Sequence, residues 1–137
     1  STPYPTLFPY TTLFRSILIQ ENQDTDLVQA KRIVAQLPPE ASFIKYMEPS
    51  FCDKKEAEAE KESIRILLNR YEFIALGIRT GAFEEEIYKR LKYSDVMDTW
   101  KKAKPMIMEL RRQKERNTYY QELEWLASRW EASPLGQ

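Results

Sequence analysis

The sequence predicts an all-α fold, a single-domain helical bundle of five or six helices around one long central helix at about residues 54–80. Three observations predict it. Apolar residues recur at intervals of three and four, which lines them up on one helical face. Glycine is scarce, with Gly 3 in 137 residues, which disfavours turn-rich β structure. Prolines fall between the periodic stretches, where helices end. A chain of this length suits one core, which buries about two-thirds of the surface that the unfolded chain exposes.

The first sixteen residues, STPYPTLFPYTTLFRS, hold three of the eight prolines, one charge and no helical period. A secretory signal would need a basic start and a continuous apolar stretch, and Pro5 and Pro9 would interrupt strand pairing. Thr6 to Ser16 is similar to one reading-frame translation of a short-read sequencing adapter. That likeness implies a stretch never selected for function. Residues 1–16 are therefore expected to stand apart as a non-native or disordered segment, with a helical domain at 17–132 and a short tail at 133–137.

Asp24, Thr25 and Asp26 offer cap side chains for a helix to Leu37 carrying Leu27, Val28, Ile33 and Val34. Pro38 and Pro39 stop it. A short helix through Ala41, Phe43, Ile44 and Met47 ends before Pro49, leaving Phe51 and Cys52 in a loop. Asp53 is expected to cap the long helix. Lys54 to Lys61 is its solvated start, and Ile64, Leu67, Leu68, Tyr71, Ile74, Ala75 and Ile78 form its apolar face. Ile66, Phe73 and Leu76 lie on other faces, so the helix must be surrounded. Gly81 suits the C′ position. Then come a short helix from Glu84 to Leu91, another capped by Ser94 through Val96, Met97, Trp100 and Ala103, and a kink or restart at Pro105. The last helix is expected to carry Met106, Ile107 and Leu110 through to Trp130.

Charge and composition restrict the chemistry. The 21 basic and 21 acidic side chains cancel, which disfavours a protein devoted to gripping phosphate backbone. Histidine is absent, which removes the commonest general base and the commonest zinc ligand. Cys52 is alone, so it forms no intramolecular disulfide. No enzyme activity, cofactor or metal is expected. Without a run of about 18 apolar residues, no membrane insertion is expected and a cytoplasmic setting follows.

Three sets of residues could carry a function. Arg65, Asn69 and Glu72 are spaced four and three apart and share one side of the central helix. With Arg111 they form either a ligand site or a buried network in which Glu72 meets Arg111 or Arg79. Bracing is the expected role. Glu84, Glu85 and Glu86 could gather a hard cation, but neighbours on a helix diverge, and an acidic first turn complements the helix dipole. Arg111, Arg112, Lys114 and Arg116 precede Tyr119, Tyr120, Trp125 and Trp130. That order suits single-stranded nucleic acid, yet interleaved glutamates repel phosphate. The four aromatics are expected instead to form an interface with a protein partner or a second copy in a homodimer.

From Asp26 onward the chain resembles a bacterial and phage-associated family named domain of unknown function 4760. The likeness rests on IRILLNRYEFIALGIRTGAFEEEIYKRL (Ile64 to Leu91), DVMDTWKKAKPMIMELRRQ (Asp95 to Gln113) and YYQELEWLASRW (Tyr119 to Trp130). It includes Asn69, Tyr71, Glu72, Gly77, Gly81, Trp100 and Arg111. The resemblance implies a small helical protein without a named activity, and many relatives carry an N-terminal membrane helix. The expected function is non-enzymatic protein binding, including the role of a phage- or prophage-encoded inhibitor of a host system. The alternatives are a nucleotide-type ligand sensor or sponge at Arg65, Asn69, Glu72 and Arg111, and the cytosolic part of a membrane-anchored regulator.

Overall fold

In the computed structural model, residues 4–38 and 41–135 are described. They form six α-helices, α1 (Tyr4–Gln23), α2 (Thr25–Ala35), α3 (Pro49–Cys52), α4 (Lys55–Arg79), α5 (Glu85–Lys114) and α6 (Gln121–Ala132). A 3₁₀ helix, Phe43–Met47, lies between α2 and α3. There is no strand among the described residues. The all-α bundle around a long central helix is thus observed.

The first helix departs from expectation. Tyr4–Gln23 is continuous and crosses the boundary expected after residue 16. Pro5 lies in its first turn, where an amide hydrogen has no intrahelical partner to lose. Phe14 and Ile17 are buried, and Glu21 follows four residues later, also buried. That spacing of three and four is one helical face. Phe14 stacks on Phe83 at 5.9 Å between ring centroids. Asp24 ends α1 by donating its N–H to the Gln20 carbonyl at 2.8 Å. It also opens α2 by accepting from the Leu27 amide at 3.1 Å.

Helix α4 is the centre. Its apolar face, from Ile64 to Ile78, is buried, with α2 packed along one side and α6 along another. Phe73 and Leu76 stay exposed on a third side. Two local expectations at its start are corrected. Cys52 ends the short helix α3 rather than sitting in a loop, where its thiol donates to the Tyr46 carbonyl at 3.1 Å. Asp53 has helical backbone angles and does not cap α4; the cap position belongs to Lys54, without a side-chain bond. At the other end Gly81 has φ +82°, and the Phe83 amide donates to the Gly77 carbonyl at 3.0 Å. The Gly81 amide donates to the Ile78 carbonyl at 3.1 Å, the five-to-two bond that a left-handed C′ residue permits.

Helix α5 is also longer than expected. It runs unbroken through Ser94 and Pro105. Tyr88, Val96, Trp100, Ala103 and Ile107 are buried, at helical spacing that spans both presumed breaks. Their burial outweighs the roughly 3 kcal/mol that an interior proline costs, and Pro105 itself faces solvent. Met106, Ile107 and Leu110 therefore belong to α5, and α6 is a separate helix. Glu85 joins the two by accepting from Arg129 at 2.7 and 2.9 Å and from the Trp130 indole at 3.0 Å.

Two outcomes follow from this packing. A Cβ at Gly77 would stand 2.0 Å from the Phe83 ring, which is itself stacked on Phe14 and edge-on to Phe73. Gly77→Ala should lower stability by about 1–3 kcal/mol in urea denaturation, despite the roughly 1 kcal/mol that alanine gains in helix propensity. Arg129 holds the Glu85 carboxyl below the ordinary glutamate value. A lowered folded value stabilises above the ordinary range and is lost as pH falls through it. Glu85→Gln should therefore melt lower than the parent at neutral pH, and the gap should close in acid.

Candidate functional site

The site begins with a turn that lacks glycine. Helix α5 ends at Glu115 and α6 begins after Tyr120, and both residues are left-handed, with φ 51° and 58°. For residues with a Cβ this conformation costs roughly 1–3 kcal/mol each and persists only where the surroundings hold it. Three side chains do so. Arg111 Nε and Nη2 donate to the Tyr119 carbonyl at 2.9 and 2.8 Å, and Nη1 donates to Glu124 Oε1 at 3.1 Å. The Tyr120 hydroxyl donates to Asn69 Oδ1 at 2.9 Å. Glu72 Oε1 accepts from the Leu123 amide at 2.7 Å and Oε2 from the Glu122 amide at 3.4 Å.

Glu72 thus caps α6 from another helix. The first amides of a helix have no internal acceptor, and Tyr120, at the cap position, offers none. A carboxylate there satisfies them and complements the dipole. Burial pushes the Glu72 carboxyl above the ordinary glutamate value, and the bonds from Leu123 and Glu122 pull it back. Arg111 is itself buried, and a guanidinium there is tolerated because its donors are used.

Beside this network runs a trough of about 1170 Å³. One wall is the stripe of α4 from Glu58 to Glu72. The other is the end of α5 with the α5–α6 connection, including Gln113, Lys114, Arg116, Tyr119 and Tyr120. Met47, Met106 and Leu110 supply apolar lining. Arg65 lies on the wall but outside the network, exposed and paired with Glu62 at 2.9 and 2.5 Å.

A family model described as Domain of unknown function (DUF4760) matches residues 14–130. The chain belongs to this family. No curated protein and no solved structure matches the chain. The span matched by the DUF4760 model contains the whole capping network and both walls of the trough.

Among the sequence-predicted site residues, Asn69, Glu72 and Arg111 converge on the α5–α6 connection, and Arg65 does not join them. Glu72 was expected to meet Arg111 or Arg79 and pairs with neither; its partners are backbone amides, and Arg79 pairs with Glu122 at 3.1 Å. The four aromatics expected to form one interface are separated. Tyr119 and Tyr120 edge the trough. Trp125 is half-buried between the guanidiniums of Arg79 and Arg129, 5.3 and 5.6 Å from its ring centre. Trp130 is 0% exposed, because its helical position faces Tyr88 and Tyr93, so it cannot meet a partner. The three glutamates diverge: Glu84 holds the cap position of α5, Glu85 meets Arg129 and Glu86 meets Arg90.

Two features escaped sequence reasoning. The capping of α6 across 50 residues leaves one signal, a helix start without a Ser, Thr, Asp or Asn cap opposite an isolated mid-helix carboxylate. The second is Glu21, which accepts from Arg70 at 3.2 Å and from the Tyr88 hydroxyl at 3.4 Å. Its signal was the Phe14, Ile17, Glu21 spacing. Glu72→Ala should cost about 1–3 kcal/mol, the value of a lost cap plus unsatisfied amides. Glu72→Gln should cost less, because its amide oxygen can still accept. With a raised folded value, the parent should lose stability relative to Glu72→Gln as pH rises through that value, read by denaturation across pH.

Proposed function

We propose that this DUF4760 chain acts by binding another protein along the trough, without a chemical step of its own. The observation that carries the reading is the shape of the trough. Its α4 wall covers positions 58 to 72, about 21 Å of helix at 1.5 Å per residue. Its volume of about 1170 Å³ exceeds the roughly 300–1,000 Å³ typical of small-molecule pockets. The lining is mixed, apolar at Met47, Met106 and Leu110 and charged on both walls, which supports a polypeptide partner over a compact apolar ligand. A phage- or prophage-borne inhibitor of a host system would be one such binder.

A nucleotide-type ligand is the second reading. It is favoured by Lys61, Arg65, Lys114 and Arg116 on the walls and by the Arg116 guanidinium 5.9 Å from the Tyr119 ring centre. The capping network weighs against it at Glu72 and Arg111, whose polar atoms are already engaged. A photo-crosslinking residue at Gln113, inside the trough, should trap a discrete protein in the source cells, whereas the same residue at Leu91 should not. Equal labelling from both positions, or none from Gln113, would refute the reading. A melting shift with ATP or GTP that Arg116→Glu removes would favour the ligand instead.

A further inference from the structure

We infer that the trough takes an acidic amphipathic helix, an inference that rests on the protein-binding reading above and names the chemistry of the partner. The balance of unused charge points to it. Of the acidic side chains on the walls, Glu62 is paired with Arg65 and Glu72 is consumed by the amides of α6, which leaves Glu58. Among the described residues Lys61, Lys114 and Arg116 form no ion pair. The chain is neutral as a whole, so this local excess of cations belongs to the trough. An anionic segment would find there three cations outside any ion pair and one repelling group.

The lining selects a helix. Met47 and Leu110, both half-buried, offer a thioether and a leucine to the trough, which Met106 also lines although it is itself buried, and methionine adapts its shape to incoming apolar side chains. Four turns of helix match the α4 wall in length, with anchors at i, i+3, i+4 and i+7. Acidic residues flanking those anchors would reach Lys61 on one wall and Lys114 and Arg116 on the other. The Tyr119–Tyr120 edge is held by Arg111 and Asn69, so the groove exists before the partner arrives and little ordering is required on binding.

Selection of a displayed library of helical 14-residue peptides on the full chain tests this. Enriched peptides should carry Leu, Ile, Phe or Met at helical spacing with Asp or Glu on the flanks. The triple variant Lys61→Glu, Lys114→Glu, Arg116→Glu should weaken the selected peptide about tenfold or more, with an unchanged circular-dichroism melt. Gln113→Trp, which fills the trough from an exposed position, should abolish binding. Peptides that Gln113→Trp blocks but that lack acidic bias, or that ignore the charge reversal, overturn the acidic-helix inference and leave the trough reading standing. Selection that yields no peptide sensitive to Gln113→Trp overturns both. If the triple variant melts lower, the single variant Arg116→Glu replaces it, with the same direction of effect expected and its absence counting against the inference.

Discussion

The arrangement turns on one carboxylate. Glu72, on the central helix α4, spends its two oxygens on the amides that open α6. Without it the helix would start with unsatisfied donors next to a left-handed tyrosine. Arg111 does the converse at the same corner, giving its guanidinium to the carbonyl of Tyr119. A negative group thus meets amides and a positive group meets a carbonyl, each satisfying backbone that the turn leaves unpaired. The connection between α5 and α6 keeps its strained shape because these bonds over-determine it.

A second polar anchor holds the first helix. Arg70, one position before Tyr71 on α4, donates to Glu21 and to the Ile17 carbonyl, both at 3.2 Å. Glu21 Oε2 has no partner in the structure. A buried pair is costly unless its bonds are complete, so this anchor contributes register more than stability. It sets α1 against α4 and α5 at a fixed height, which apolar contacts between Phe14, Phe83 and Tyr88 alone would leave free to slide. The two anchors use central-helix side chains only two positions apart, Arg70 and Glu72, pointing to different neighbours. Register across the bundle therefore passes through one turn of α4.

The trough inherits its form from this bracing. Its α4 wall is straight helix, and its other wall ends in the held connection, so the walls are set by groups that are not themselves available to a ligand. This separates the polar residues into two kinds. Asn69, Glu72 and Arg111 shape the site. Lys61, Lys114 and Arg116 are the ones with charge left to offer. The family description carries no activity, and the absence of histidine narrows the acid–base chemistry such a surface could perform.

Much of this was legible in the sequence. Periodicity located α2 and α4, the 3₁₀ segment at Phe43 to Met47, and Gly81 as the stop, because local backbone preference and apolar spacing agree there. It also singled out Asn69, Glu72 and Arg111, since polar groups on an apolar helix need partners. What it misjudged depended on contacts made at a distance. Ser94 and Pro105 are local signals for a break, and burial of Tyr88 through Ile107 overrode both. Trp130 could be placed on a helix but not on its inner side, since that depends on where α5 lies. Residues 4–16 lacked any local helix signal, and Phe14 gains meaning only beside Phe83. By itself the sequence determined the class of fold, the central helix and the residues that needed partners. Only the tertiary structure decided what those partners were, because a carboxylate carries no mark of which amides, fifty residues away, will be brought to it.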